Sequence, residues 1–327
     1  PLDSAISLIK FPFISILSRF RTGVVLAFMK LTNNYHLFES KPALSWIGRW
    51  MGRESLETIW EPLFLGKFGE YKDLVILSWF WARIKKRTSS LAYPEGGFKT
   101  FADRITQVIE ELGGKLFLST TVESIGSDPK GSFIKSGGKR INFDRIICTS
   151  PTPVFLKLAN LPQNYSKKLA SIKHLHALNL ILISKKPFMK ESYWLSIADK
   201  SFPFLVLVDH TNFMDPKFYN KEHILYIGCY LPIDHPYLKM SGRELLKTFD
   251  KYLTQINPDY RKHLLRVEKF VGPFAQPVVE KGYSKVIPEM KTPLKDVFLA
   301  NLDMVYPWDR GTNYAVELGE NVASIVE

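Results

Sequence analysis

The stretch that most constrains the fold is the C-terminal one, from Val297 to Ile325. An apolar run, Val297 to Ala300, predicts a short buried strand followed by a loop. A helix is predicted to begin at Thr312 or Asn313, because either side chain can cap free backbone N–H groups. Residues at helical spacing are expected to form its buried face, with a glycine allowing close packing: Ala315, Leu318, Val322, Ile325 and Gly319. Such a helix N-terminus favours an anion or cofactor, while a strand–loop–helix that only closes an α/β fold is the alternative.

A second pattern of turn, helix and strand precedes Val122. The sequence Tyr-Pro-Glu-Gly-Gly from Tyr93 predicts a turn, since proline and paired glycines favour one. The apolar residues that follow recur at helical spacing: Phe98, Phe101, Ile105, Val108, Ile109 and Leu112. Gly113 and Gly114 are predicted to end this helix, and a strand is predicted to end near Val122.

A third pattern is a hairpin followed by a buried strand. Residues 132–135 and 139–143 flank Ser-Gly-Gly, which is favourable turn chemistry. The continuous apolar run that follows Arg145, residues 146–148, suits a strand buried on both faces. Asp144 and Pro151 bracket this strand.

Taken together, these patterns resemble the FAD-dependent amine oxidase superfamily, which includes protoporphyrinogen oxidase, phytoene desaturase and UDP-galactopyranose mutase-like proteins. The motifs that carry the resemblance are Tyr93 to Gly97, Gly113-Gly114, Asp144 to Pro151, and Arg310-Gly311-Thr312-Asn313. The resemblance covers nearly the whole chain. It implies an α/β fold, α+β overall, with a Rossmann-like FAD-binding domain and an inserted helical and antiparallel-sheet substrate domain.

The resemblance also implies an FAD site. Val122 would contact the adenine, and Pro151 would lie near the cofactor. The residues implied to surround the flavin are Asn301, Asp303, Arg310, Gly311, Thr312 and Asn313. In the family an acidic residue follows the strand, whereas here Asn301 and Leu302 follow it and Asp303 comes later. Tyr306 and Trp308 would line the ring or the substrate cavity, and no catalytic acid or base is assigned.

A dinucleotide-binding domain ordinarily begins with a strand, a G-x-G-x-x-G turn and a helix that holds the pyrophosphate. This pattern does not occur in the sequence, and Gly66-Lys67-Phe68-Gly69 lacks its first spacing. We therefore expect an FAD domain that is incomplete at its N-terminus, in a chain that begins partway through a longer protein.

Four segments are expected from these patterns: 1–90, the helical part of the substrate domain; 91–154, an FAD-domain segment; 155–290, a mainly antiparallel substrate domain; and 291–327, the C-terminal FAD-domain segment. Strands are predicted at residues 178–183, 204–208, 223–231 and 264–271, and a helix at 243–256. His174 and His176 alternate along a predicted strand, but no carboxylate or cysteine nearby completes a site. No metal is therefore predicted.

The net charge and the hydropathy of the sequence limit the kinds of binding partner that we expect for this chain. The formal net charge of the 327 residues is +12, which favours anionic partners, but no nucleic-acid recognition motif accompanies it. No apolar run approaches the roughly 20 residues that a membrane-spanning helix needs. Apolar residues between Ile6 and Phe20 are interspersed with Lys10 and Arg19. They predict either a core helix or an apolar, basic patch of the protein that touches a membrane surface. We expect a cytoplasmic location, with peripheral membrane contact open, and predict no oligomeric state.

The sequence thus predicts an FAD-dependent oxidoreductase that transfers a hydride from a C–N or C–C bond of a small organic substrate to flavin. Two alternatives stay open. One is a flavin-dependent isomerase of the UDP-galactopyranose mutase type. The other is a truncated, non-catalytic homologue that acts as a binding protein.

Overall fold

The computed structural model describes residues 4–86 and 92–326. Within these ranges the chain forms two compact units, residues 4–86 with 173–282 and residues 92–172 with 283–326. Residues 155–172 and 283–290, which the sequence grouped with the antiparallel region, belong to the second unit. The sequence-based boundary at residues 90 and 91 lies outside the described residues.

The helices of the described residues are, in chain order, α1 (Ala5–Ile9), α2 (Ile16–Leu31), α3 (Ala43–Met51), α4 (Arg53–Ser55), α5 (Glu61–Phe68), α6 (Leu77–Lys85), α7 (Gly97–Glu111), α8 (Thr152–Leu158), α9 (Gln163–Ala170), α10 (Gly242–Ile256), α11 (Tyr260–His263), α12 (Tyr283–Val286) and α13 (Thr312–Val326). A π-helical turn, Leu56–Trp60, joins α4 to α5.

The strands are β1 (Ser124–Asp128), β2 (Gly131–Ser136), β3 (Lys139–Phe143), β4 (Ile146–Cys148), β5 (His174–Ser184), β6 (Trp194–Ser196), β7 (Val206–Asp209), β8 (His223–Leu231), β9 (Leu264–Pro277) and β10 (Val297–Leu299). They form a five-stranded sheet in the order β6-β7-β8-β5-β9, a three-stranded sheet β1-β2-β3, and the pair β10-β4.

The first unit is built on the five-stranded antiparallel sheet. Alternate residues of its strand β5, which lies between β8 and β9, are buried, such as Leu178 and Leu180, as a sheet covered on one face requires. Helix α10 begins with a capping box at Ser241 and packs Leu245, Phe249 and Leu253 into the same core. The sequence predictions of β5, β7, β8, β9 and α10 are confirmed in position.

The second unit contains the hairpin that the Ser-Gly-Gly pattern predicted. Ser136 pairs with Lys139 across the turn, and both turn glycines have positive φ, as a two-residue hairpin turn demands. Strand β4 also forms, and it pairs in parallel with β10. Its side chains are not buried on both faces as predicted, because Ile147 is exposed.

Two expectations for the second unit are not met, one for the segment before Val122 and, in part, one for α13. The strand predicted to end near Val122 does not form, and the ladder begins at Ser124 instead. Helix α7 forms where predicted, but its apolar stripe is largely exposed. On α13 Val322 is buried and Leu318 packs against the same cluster, but Ala315 and Ile325 are exposed and the space around Gly319 is open. For the two helices the periodicity identified an apolar face without identifying what covers it.

Candidate functional site

The candidate site begins where the two parallel strands end. Ile146 of β4 lies opposite Val297 of β10, and Cys148 lies opposite Leu299. One residue further, the N–H of Ala300 donates to the carbonyl of Cys148 at 3.0 Å. The carboxyl ends of both strands therefore meet at one edge, which is where α/β proteins bind ligands.

Asn301 joins the two strand ends. Its Nδ2 donates to the carbonyl oxygen of Ser150 and to Oγ1 of Thr152, both at 3.0 Å. Its Oδ1 accepts from the backbone N–H of Asp303 at 3.1 Å, which caps the short helical turn Leu302–Val305. Asn301 is buried, so its amide is a structural connector whose donors and acceptor all have partners.

Asp303 completes this network from the loop. Its side chain is buried, with the residue 2% exposed, and Oδ2 accepts from Oγ1 of Thr152 at 2.5 Å. The backbone carbonyl of Asp303 accepts from the phenol of Tyr283 at 3.2 Å. Burial, with the nearby Asp303 carboxylate, raises the pKa of Tyr283 well above its ordinary value, so this phenol stays a neutral donor.

Two aromatic side chains follow in the loop. The ring of Tyr306 lies 5.4 Å from that of Tyr283, centroid to centroid, and a cis peptide bond joins Tyr306 to Pro307. The indole of Trp308 is parallel to the ring of Tyr314, the first aromatic residue of α13, with centroids 6.4 Å apart. Both predicted substrate residues are thus half-buried and packed against aromatic partners that the sequence did not identify.

The N-terminus of α13 is open. Gly311, Thr312 and Asn313 are exposed, and the first turn of the helix contains no acidic side chain. The first N–H groups of a helix lack intrahelical acceptors, and the helix dipole adds partial positive charge there. A Cβ on Gly311 would lie 2.7 Å from Oδ1 of Asn313, so glycine keeps the backbone accessible. The exposed Arg310 adds a full positive charge, and the donor set fits an electron-rich or anionic group.

The remaining two predicted residues, Pro151 and Val122, lie near strands β4 and β10 and not near the N-terminus of α13. Pro151 follows β4 directly, and its carbonyl accepts from Val154 and Phe155 to start α8. Val122 packs against the core cluster that contains Cys148 and Leu299. The structure therefore brings Pro151, Asn301 and Asp303 together at the strand ends, while Val122 contacts the core below them.

Sequence reasoning missed Ser150, Thr152 and Tyr283. Thr152 had a signal, because it begins a helix after β4, at the carboxyl end of a strand, where ligands bind in α/β proteins. Tyr283 had none, since its role depends on a contact with Asp303. Among the described residues, no group of three or more His, Cys, Asp or Glu is placed to hold a metal ion.

The fold and the strand-end site define a flavoprotein-type α/β domain combined with an antiparallel-sheet unit. The sequence matches the family described as flavin containing amine oxidoreductase over residues 2–326. The chain belongs to this family, and it is an FAD-dependent oxidoreductase. No curated protein sequence matches it significantly.

Solved structures share the fold at low sequence identity. An oxidoreductase from Methanosarcina mazei is 17% identical, with a TM-score of 0.72, over 98% of this chain and 74% of that one. A putative protoporphyrinogen oxidase from Exiguobacterium sp. 255-15 is 15% identical, with a TM-score of 0.68, over 96% and 73%. A reduced UDP-galactopyranose mutase is 12% identical, with a TM-score of 0.72, over 97% and 74%.

When bound, FAD supplies the hydride and electron chemistry, and the protein orients it and controls its surroundings. The strand-end residues fit this task because the buried Thr152–Asn301–Asp303 network holds the loop, and the open N-terminus of α13 presents donors. The structure adds the polar network that gives this segment its shape, and the cofactor contacts expected from the sequence stay predictions.

Proposed function

We propose that this protein removes a hydride from a C–N or C–C bond of a small organic substrate, with FAD as the acceptor. The observation that supports this is the strand-end arrangement, in which a buried network fixes the loop leading to an open helix N-terminus that follows Arg310. Membership of an amine oxidoreductase family favours an amine as the substrate class.

The proposed cofactor contacts fall into two groups. The backbone N–H groups of Thr312 and Asn313, with Arg310 and the accessible backbone of Gly311, would hold the electron-rich end of the flavin. Positive potential there would favour the reduced, anionic form of the cofactor and so promote hydride acceptance. Asn301 and Asp303 would act mainly by fixing the loop, because their polar atoms already have partners within the protein.

The other proposed contacts are apolar. Val122 would contact the adenine and Pro151 would lie beside the cofactor, at the end of β4. Tyr306 and Trp308, held by Tyr283 and Tyr314, would line the substrate side. Aromatic rings in fixed positions exclude water and favour a flat or cationic substrate, which agrees with an amine.

Visible absorption tests the cofactor assignment. Purified protein incubated with FAD and then separated from free cofactor should retain flavin bands. Replacing Asn301→Leu should weaken FAD binding at least tenfold, because it releases the loop from Ser150 and Thr152. The control Asn321→Leu, at an exposed position on α13, should bind FAD as the unmodified protein does. Absence of bound flavin in the unmodified protein would contradict the proposal.

The reaction class is tested by anaerobic bleaching. A panel of primary, secondary and cyclic amines, added without oxygen, should include members that bleach the oxidised flavin bands. Readmitting oxygen or an artificial acceptor should restore those bands. If FAD binds but no C–N or C–C donor bleaches it, the hydride-transfer proposal fails while the cofactor assignment stands.

A flavin-dependent isomerase is the second candidate. The exposed Arg310 at the helix N-terminus and the net charge of +12 suit a nucleotide diphosphate substrate, and a UDP-galactopyranose mutase shares the fold. Such an enzyme would act only with the flavin reduced and would leave it reduced. Conversion of UDP-galactopyranose by the dithionite-reduced protein, with no conversion by the oxidised protein, would favour this candidate over the oxidase.

A further inference from the structure

Helix α2 turns its polar side toward the protein. Oγ1 of Thr22 and Oγ of Ser55 lie 2.7 Å apart in a buried hydrogen bond. Oγ of Ser18 donates to the carboxylate of Glu54 at 2.6 Å. The buried positions of α2 are Ser18, Thr22, Val25 and Met29. Hydroxyl groups therefore make half of the contact face of a helix that is rich in large apolar residues.

The opposite side of α2 is apolar and exposed. Leu17 and Phe20, for example, retain 68% and 69% of their accessible surface. The exposed apolar side chains of this helix are Ile16, Leu17, Phe20, Val24, Ala27, Phe28 and Leu31. At about 100° per residue they all fall within an arc of about 120°. Apolar residues are ordinarily on the protein side of a surface helix, so this helix has the reverse arrangement.

The apolar face continues onto α1 and the turn after it. Ile6, Ile9 and Phe13 are exposed. Arg19 fixes this segment to α2, because its Nη1 donates to the carbonyl of Ile9 at 2.7 Å and its Nε to that of Ile14 at 3.0 Å. We call the exposed apolar residues of 6–31 the α1–α2 face. The core-helix expectation for this segment holds only for Leu8 and Ile14, which are buried, whereas most of its other apolar side chains are exposed.

The charged side chains carried by the segment of the α1–α2 face have one sign, and the Glu54 carboxylate lies on the polar side of α2. From Ser4 to Phe38 the sequence contains no aspartate or glutamate. Arg21 lies just beyond one edge of the apolar arc and Lys30 just beyond the other, and Lys10 is exposed beside α1. An apolar strip bordered by cations matches a membrane interface, where acyl chains lie beside anionic headgroups.

We propose that the α1–α2 face docks this protein onto the surface of an anionic lipid bilayer, with α2 lying in the plane of the interface. None of the described helices is long and apolar enough to cross a membrane. A second copy of the chain fits the face less well. Packing two copies face to face would bring the cations of the arc's edges together, with no carboxylate on the segment to pair them.

Vesicle flotation of the full chain tests the proposal. The protein should float with vesicles of phosphatidylcholine and phosphatidylglycerol, and binding to phosphatidylcholine alone should be at least several-fold weaker. Double replacement of Leu17→Asp and Phe20→Asp should reduce binding at least tenfold. The control Ile233→Asp replaces an apolar side chain that is 64% exposed and lies after β8, outside residues 6–31, and it should bind as the unmodified protein does. Failure of the unmodified protein to float would overturn the proposal.

Three further measurements test whether this face inserts into lipid or pairs two copies of the chain. Phe20→Trp adds a tryptophan to the seven already present, so brominated acyl chains should quench a larger share of its emission than of the unmodified protein's. Equal quenching of the two vesicle-bound proteins would contradict insertion of this face. Replacement of Lys10→Gln and Lys30→Gln should weaken binding several-fold at low salt only.

Sedimentation equilibrium tests the alternative that the α1–α2 face joins two copies of the chain. If the unmodified protein is a dimer that fails to float, and the Leu17→Asp, Phe20→Asp protein is a monomer, the face joins two copies.

Discussion

Thr152 and Asp303 are separated by 151 positions in the sequence, and Oγ1 of Thr152 donates to Oδ2 of Asp303 at 2.5 Å. This hydrogen bond connects the residue that begins α8, after β4, to the loop that follows β10. Because β4 and β10 are short and pair over only three residues, side-chain contacts beyond their ends contribute much of what holds the loop in place.

Replacing Thr152→Val should therefore destabilise the second unit. The change removes one donor from a carboxylate that is 2% exposed, and leaving a buried acceptor with one partner fewer costs about 1–3 kcal/mol. Urea denaturation should show a lower midpoint with an unchanged slope. FAD affinity should also fall, because the loop that leads to α13 loses an anchor.

The matched control is Thr121→Val, at an exposed position of the same unit. It should leave both the midpoint and FAD affinity within error of the unmodified protein. An equal loss of stability in the two variants would mean that the hydrogen bond to Asp303 is not the cause.

The sequence predicted local structure well where periodicity and turn chemistry agreed. Helix α10 begins at a Ser-x-x-Glu capping box and its apolar residues repeat every three or four positions, so its position followed from local signals. The hairpin β2–β3 followed from Gly137 and Gly138, whose positive φ angles few other residues adopt easily. Strand β8 was predicted with the same ends as observed.

Two kinds of feature were beyond prediction. One is burial by distant segments, because the stripes on α7 and α2 are apolar in sequence yet exposed in this chain. The strand expected before Val122 is similar, since a strand also needs a neighbour to accept its hydrogen bonds. The other is the polar network of Asn301, Thr152 and Ser150, whose members come together only after β4 and β10 pair.

Asp250 should give the first unit a stability that depends on pH. Its carboxylate accepts from Nε of Arg261 at 2.6 Å and from the phenol of Tyr260 at 2.5 Å. Hydrogen bonding to Arg261, opposed by burial and aided by Tyr260, lowers the pKa of Asp250. A lowered pKa in the folded state contributes stability above the unfolded pKa of about 4, and this is lost as the pH falls through the folded pKa.

Asp250→Asn should therefore destabilise the protein at pH 7, by about 1 kcal/mol or less because the ion pair is partly exposed. At pH 3 and below, the difference from the unmodified protein should shrink. Urea midpoints measured from pH 7 to pH 2.5 test this. Asp234→Asn, at an exposed position, should cost little at any pH, and a pH-independent penalty for Asp250→Asn would contradict the assignment.

The core of the first unit should be sensitive to truncation at Phe249. This side chain is fully buried, and its ring lies 5.2 Å from that of Phe204 and 5.5 Å from that of Tyr237. Phe249→Ala should cost about 3–5 kcal/mol, because it removes apolar contacts and leaves a cavity between α10 and the sheet. The comparison is Leu246→Ala on the same helix, which is only half-buried and should cost less. Similar losses would indicate that α10 is loosely packed.

Gly311 directly precedes α13 and Gly319 lies inside it. Replacement of each by alanine should have a different effect on stability and on FAD binding. A Cβ at Gly311 would lie 2.7 Å from Oδ1 of Asn313 and 3.3 Å from Cδ2 of Tyr314, whereas a Cβ at Gly319 would meet nothing within 4 Å. Gly319→Ala should therefore stabilise the protein by about 0.5–1 kcal/mol, as expected for alanine in place of glycine inside a helix.

Gly311→Ala should instead weaken FAD binding, because the side chains of Asn313 and Tyr314 must move and the new methyl group covers backbone at the N-terminus of α13. Its effect on the urea midpoint should be small, since Gly311 is exposed. Fluorescence titration with FAD and urea denaturation of both variants would separate the two effects. A Gly311→Ala protein that binds FAD normally would show that the flavin does not approach this end of the helix, and the proposed contacts at Arg310 to Asn313 would then have to be abandoned.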